Sequence, residues 1–272
     1  MTVKLLALDL DGTIFADDLI VSERTRKAIK AAQERGVLVT IATGRMFDAA
    51  RKVAGDLGIT APLICYQGAM VRDPLTGETL YHKTVPLDLV HEIIAATRQR
   101  GLHLNIYLDD KLYVDHITEE ALFYSRINHD FPLSVVDDFH TWLGTQEGRE
   151  PTKMVIITAP VHTDAVLADF SGRYGDRLQV TKSHPRFTEF THKECSKGVA
   201  LAFLAGHMGV AREEVMAIGD GHNDLDMLRW AGYGLAMPTA PQVVLDIAHG
   251  VCLPLAEDGA AEAIERLILA AT

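Results

Sequence analysis

Lys4-Leu5-Leu6-Ala7-Leu8-Asp9-Leu10-Asp11-Gly12-Thr13 decides the fold. Leu5 to Leu8 is apolar at every position, the pattern of a strand buried on both faces and therefore of a central parallel strand covered by helices. Asp9 and Asp11 follow at its carboxyl end, and Gly12 permits an abrupt turn out of the sheet. In open α/β sheets ligands sit at that end of the strands. Two carboxylates placed there repel unless a cation lies between them, and hard cations such as magnesium prefer oxygen ligands. The opening stretch thus points to a metal site and a carboxylate nucleophile. Taken alone, Asp-Leu-Asp-Gly reads more readily as a polar turn, and its partners further along reverse that preference.

The next segments repeat the strand-helix rhythm. Ser22 to Arg35 has helical spacing with Ser22 as N-cap, and Gly36 ends it. Val37 to Ala42 is a second apolar strand leading to Thr43-Gly44-Arg45. Phe47 to Leu57 is helical, and Pro62 to Cys65 is a third strand followed by Tyr66-Gln67-Gly68-Ala69. Alternating strands and helices imply right-handed crossovers and a parallel sheet. Val71 to Lys83 reads as a small hairpin around Pro74-Leu75-Thr76-Gly77.

Near Pro86 the character changes to α+β. Helices are expected at Leu87 to Arg100, Glu119 to Asn128 and Val161 to Tyr174. Strands are expected at His103 to Tyr107, Lys111 to Asp115, Lys153 to Thr158, Leu178 to Lys182 and Phe187 to Thr191, with a loop over Asp138 to Pro151. About a hundred residues suffice for a small domain of their own. The first rhythm then resumes: a helix Ser196 to Met208, a strand Val215 to Ile218 and a helix Asn223 to Ala231. A strand Gly234 to Met237, a helix Pro241 to His249, a strand Val251 to Leu253 and a helix Gly259 to Ala270 complete it. The simplest architecture is a core built from 1–83 and 190–272, with 84–189 inserted.

The 272 residues are 48% hydrophobic with a formal net charge of −11. That charge disfavours sequence-independent nucleic-acid binding, which depends on neutralising phosphates. Cys65, Cys195 and Cys252 are odd in number and far apart, which suggests free thiols in a reducing compartment rather than a disulfide framework. No leader pattern and no apolar run of membrane-spanning length is present, so a cytoplasmic protein without a membrane partner is expected.

Four features fall where a parallel sheet would gather them. They are Asp9 with Asp11; Thr43-Gly44, a hydroxyl with backbone N–H groups that can hold phosphate oxygens; Lys197 at a helix start; and Gly219-Asp220-Gly221-His222-Asn223-Asp224 after an apolar strand. Each alone reads as structure: a strand-to-helix turn, a solvated lysine, a glycine turn. His222 reads as a loop or capping residue, and Trp142 and Trp230 as packing residues. Together the four make a site for magnesium and a phosphate.

The motif set Asp9-Leu10-Asp11-Gly12-Thr13, Thr43-Gly44-Arg45, Ser196-Lys197-Gly198 and Gly219 to Met227 resembles the haloacid dehalogenase superfamily of phosphohydrolases, in its Cof-type, subfamily IIB branch. The resemblance implies an α/β fold: a Rossmann-like parallel core with helices on both faces and an inserted α+β cap domain that chooses the leaving group. It implies Asp9 as nucleophile and Asp11 as general acid, then base. It implies Mg2+ held by Asp9, the Asp11 backbone carbonyl and Asp220, with Asp224 close by, and phosphate held by Thr43, Gly44, Lys197 and Asn223. The implied activity is hydrolysis of small phosphomonoesters, such as sugar phosphates or phosphorylated cofactors, through a phosphoaspartyl intermediate. The expected partner is a small phosphorylated metabolite, and the protein a monomer or small homo-oligomer. A hexose-phosphate mutase of the same superfamily and a non-catalytic binding protein on this scaffold are the alternatives. Gln67-Gly68-Ala69 stands where relatives usually carry Asn-Gly-Ala, and Pro238-Thr239-Ala240 where they carry Gly-Asn-Ala. In the inserted segment His103, Asp109, Asp110, Tyr113 and His184 are candidate substrate contacts, each more readily structural.

Overall fold

The computed structural model describes residues 2–16, 19–127 and 131–270. The chain divides into two compact units, Met1–His82 with Ser196–Thr272, and Lys83–Cys195.

The first unit is built on a five-stranded parallel sheet in the order Gly250–Val251, Tyr233–Ala236, Val215–Gly219, Leu5–Leu8, Leu38–Ile41. Leu8 stands opposite Ile218 on one side and Ile41 on the other. All four residues of Leu5–Leu8 are buried, as a strand covered on both faces requires. Burial of each leucine contributes roughly 1.5–3 kcal/mol. One face packs on Leu201 and Leu204 of the helix Lys197–His207 and on Leu228 of Leu225–Trp230. Because every strand runs the same way, the residues after Leu8, Ile41 and Gly219 emerge at one edge. Leu63–Cys65 continues beside the sheet through a parallel bridge between Ala42 and Ile64. It also opens a three-stranded antiparallel sheet with Met70–Arg72 and Thr79–His82, which absorbs the expected hairpin.

Ser22 caps the helix Glu23–Glu34 by accepting from the Thr25 N–H, and Ala28, Ile29 and Ala32 are its buried face. The helix expected over Pro241 to His249 is shorter. Only Gln242–Leu245 is helical, with Val244 its single buried side chain. A short helix with one buried residue has little tertiary packing to extend it. Among the described residues no helix is long and apolar enough to cross a membrane.

The second unit is a six-stranded sheet ordered Leu178–Thr181, Phe187–His192, Lys153–Ile157, His103–Leu108, Lys111–Val114, Leu133–Val135. One face packs Leu104, Ile106, Met154, Ile156 and Phe190 against Val90, Ile93 and Ile94 of the helix Leu87–Gln99 and Phe170 of Pro160–Tyr174. The unit begins at Lys83 and ends at Cys195, so the expected boundary at Glu189 falls inside it. The strand Phe187–His192 runs on to pair His192 with Leu178, and Lys83 Nζ lies 2.8 Å from Glu194. The expected loop over Asp138 to Pro151 contains a helix, Phe139–Gly144, started by the Asp138 carboxylate accepting from the Thr141 N–H and held by buried Phe139 and Leu143. The strand Leu133–Val135 was not expected; it is three residues long, too short for a periodicity. Glu119–Ile127 is helical; Asn128, the expected end, lies outside the described residues.

Strand alternation puts Asn105, Tyr107, Lys153 and Glu189 on the opposite face. There Lys153 Nζ meets Glu189 at 2.9 Å with both side chains only 3% exposed. Deleting one member of such a pair strands the other charge. Glu189→Ala should lower the unfolding free energy by about 3–5 kcal/mol, and Lys153→Met with Glu189→Leu should recover most of it. Urea denaturation reads both. A single-variant loss below about 1 kcal/mol would mean that the pair contributes no more than a surface one.

Candidate active site

Asp9 follows Leu8 out of the sheet, its N–H still donating to the Ile218 carbonyl at 2.9 Å. Its side chain is 7% exposed. Gly219 ends the adjacent strand, and the turn after it carries Asp220 and Asp224. Ligand-capable oxygens of Asp9, Asp220 and Asp224 all lie within 4.8 Å of one another. Lys197, at the first position of its helix and fully buried, sends Nζ to Asp9 Oδ1 at 2.5 Å and to Asp224 Oδ1 at 2.6 Å. Asp224 Oδ2 accepts from the N–H groups of Asp220 and Gly221 at 3.0 and 2.9 Å, which fixes the turn. Thr13 Oγ1 donates to Asp220 Oδ1 at 3.3 Å. Gly12, with φ 84°, presses against Asp220, where a Cβ would lie 2.9 Å from the carboxyl carbon. A side chain at that position would displace the carboxylate.

Burial pushes the Asp9 carboxyl well above the usual range; Lys197 opposes the rise, and Asp224 and Asp220 add to it. Burial raises Asp220 to about 6, with the Asp224 charge adding. Burial alone would lower the Lys197 ammonium, but Asp224 and Asp9 more than reverse it and hold it charged. Three carboxylates face one ammonium, and the ligand atoms they offer a cation are all oxygens. That donor set fits a hard divalent cation and fits neither zinc nor copper preferences for nitrogen and sulfur.

Asp11 stands apart from this cluster. The Asp11 carboxylate, 54% exposed, takes a two-pronged pair from Arg45, Nε to Oδ2 at 2.9 Å and Nη2 to Oδ1 at 2.5 Å. The expectation that its carboxylate neighbours Asp9 is therefore corrected.

Thr43 is fully buried, and its Oγ1 accepts from the Arg45 N–H at 3.1 Å. Asn223 Nδ2 donates to Gln67 Oε1 at 3.0 Å. The Gln67 carboxamide covers Gly44, where a Cβ would lie 2.8 Å from its Cδ. Thr13, Arg45 and Gln67 are the site residues to which the sequence alone assigned no role. The first two sit inside the motifs, and Gln67 showed only as a departure from the family pattern.

The candidates in the second unit have structural partners. His103 is buried, which lowers its pKa, and it is hydrogen-bonded to Asn105 and Thr118. Asp109 pairs with Arg149 at 2.5 Å, Tyr113 packs on Trp142 at 4.2 Å between ring centres, and His184 on Phe187 at 4.4 Å. The three cysteines are buried and none is in a disulfide. Burial raises the Cys195 and Cys252 thiols to about 12, so neither supplies a thiolate nucleophile.

The haloacid dehalogenase-like hydrolase family matches residues 6–264. The chain is 30% identical to the 5-amino-6-(5-phospho-D-ribitylamino)uracil phosphatase YcsE of Bacillus subtilis, over 98% of this chain and 96% of that one. A crystal structure of a haloacid dehalogenase-like hydrolase from Bacteroides thetaiotaomicron superposes with a TM-score of 0.87 at 28% identity, covering 98% of this chain and all of that one. The subclass IIB sugar phosphatase BT4131 superposes with a TM-score of 0.79 at 25% identity, covering 97% and 98%. The chain belongs to the haloacid dehalogenase-like hydrolases, in their Cof-type branch of phosphohydrolases.

Proposed function

We propose that this protein is a magnesium-dependent phosphatase that hydrolyses small phosphomonoesters through a phosphoaspartyl intermediate on Asp9. The observation that carries the reading is the Lys197 ammonium shared between Asp9 and Asp224 inside a cluster of three carboxylates. A lone buried carboxylate would take up a proton and lose its nucleophilicity. Lys197 opposes that.

Asp9, Asp220 and the Asp11 carbonyl would hold the cation, with Asp224 behind them. When bound, Mg2+ supplies charge that offsets the repulsion between an anionic nucleophile and an anionic substrate. The remaining work falls to this chain's side chains. Lys197, Thr43, the Gly44 N–H and Asn223 hold the phosphoryl oxygens. Asp9 attacks phosphorus, the ester P–O bond breaks, and Asp11 gives its proton to the departing alcohol oxygen. Asp11 then takes a proton from water as that water attacks the phosphoaspartate, which releases phosphate and restores Asp9. The Arg45 pair must open for Asp11 to reach the leaving group. The Lys83–Cys195 unit would select that group. YcsE is named for a phosphorylated ribityl compound and BT4131 for sugar phosphates, so phosphorylated polyols and sugars are the first panel to screen. Release of free phosphate, rather than isomer interconversion, separates hydrolysis from a mutase.

Removal of divalent metal should abolish turnover of p-nitrophenyl phosphate, and added Mg2+ should restore it. Activity that survives excess chelator would overturn the metal's part. The carboxyl of Asp220 rises to about 6 without metal, and a cation binds only its ionised form. Mg2+ affinity should therefore weaken as pH falls through about 6, and calorimetric titration at pH 5 and 7 measures this.

A further inference from the structure

Tyr66, Gln67 and Gly68 run left-handed in succession, with φ of 53°, 60° and 93°. Two of the three carry side chains, for which that region is unfavourable. Such backbone persists only where its surroundings over-determine it, and it clusters at functional sites. Here the surroundings are three other segments of the site. The Tyr66 N–H donates to the Arg45 carbonyl at 3.0 Å and the Gln67 N–H to the Thr43 carbonyl at 3.1 Å, which stitches the turn to the Thr43-Gly44 loop. A Cβ on Gly68 would lie 2.8 Å from the Lys197 backbone nitrogen and would collide with the Ser196 carbonyl, so the turn lies flat on the start of the Lys197 helix. Gln67 is buried, and its side chain covers Gly44 and accepts from Asn223 Nδ2. One strained turn therefore touches the Thr43-Gly44 loop, the Lys197 helix and Asn223.

We infer that Gln67 is a positioning residue for the phosphate site: its carboxamide fixes the Asn223 amide and backs the Gly44 backbone, and the 66–68 turn sets their spacing from Lys197. The inference rests on the phosphatase reading above. An asparagine amide rotates in a broad torsional well, so a partner on one side decides where its remaining N–H points. Gln67 Oε1 takes one N–H of Asn223 Nδ2 and leaves the other for an anionic oxygen.

The test is the Ki of inorganic phosphate as a competitive inhibitor of p-nitrophenyl phosphate turnover with Mg2+ present. Gln67→Met keeps the reach of the side chain without its acceptor. Gln67→Gly removes the side chain but suits φ 60°, so its fold is kept even if the methionine variant unfolds. Groups that orient a ligand from behind typically cost about ten- to a hundredfold when removed, and Ki should rise at least tenfold in both variants. Combined with Asn223→Ala, neither should weaken phosphate further than Asn223→Ala alone, because residues acting through one another are not additive. A Ki within about twofold of wild type, or fully additive losses, would overturn the inference while leaving an active phosphatase. A wild-type protein that neither releases phosphate from esters nor is inhibited by it would overturn the phosphatase reading as well.

Discussion

Asp9→Asn should yield a folded protein with no measurable turnover of p-nitrophenyl phosphate, a fall of at least about 10⁴-fold in kcat. The substitution is nearly isosteric but removes the anionic oxygen that attacks phosphorus in the mechanism proposed above. Its effect on stability should be small because two consequences oppose each other. Lys197 loses a partner at 2.5 Å but keeps Asp224 at 2.6 Å. The cluster sheds a carboxyl whose burial, together with Asp224 and Asp220, works against its charge. Steady-state kinetics and a thermal midpoint measured together separate lost chemistry from lost fold. Acid-quenched wild-type protein should also carry a covalent phosphoryl group detectable by intact mass, and the Asn variant should carry none. Turnover near the wild-type rate would remove Asp9 from the nucleophile's role.

Asp9 was legible because an apolar run long enough to cross a sheet ends on it, and the length of that run fixes which residue first reaches the edge. Lys197, Asp220 and Asp224 were legible for a related reason: each stands directly at a strand end or helix start that hydrophobic patterning defines. Side-chain direction beyond such an end was not legible. Asp11 is two residues past Asp9, yet beyond the strand end its carboxylate pairs with Arg45 instead of joining the cluster. Sequence spacing carries no record of that side-chain direction. Gln67 was invisible as a contributor for the same reason, since its contact with Asn223 spans 156 positions and depends on three left-handed residues. The helix Phe139–Gly144 was missed because six residues give too little periodicity, and its cap and two buried side chains act only once the sheet is there to receive them.

Lys197→Met should damage stability and activity together. The ammonium is fully buried, and it is the counter-charge that the three carboxylates share. Removing one partner of a buried ion pair typically costs about 3–5 kcal/mol, because the remaining charge keeps its desolvation penalty and loses its compensation. The direction with pH follows from the carboxyls. Asp9 and Asp220 already sit above their unfolded values, so the folded state holds protons that the unfolded state releases, and acid favours folding through that window. Without Lys197 their carboxyls should rise further and the window should widen. The variant's deficit in urea should therefore be largest near pH 7 and shrink toward pH 5, whereas wild type should lose less over the same rise. Added Mg2+ should recover part of the deficit at pH 7, since a cation restores the charge balance that the lysine supplied. Turnover should remain lost, because in the proposed mechanism Lys197 also opposes the charge of the transferring phosphoryl group. A variant within about 1 kcal/mol of wild type at pH 7 would mean that the three carboxylates do not share a common pocket of charge, and the cation site inferred from them would fall with it.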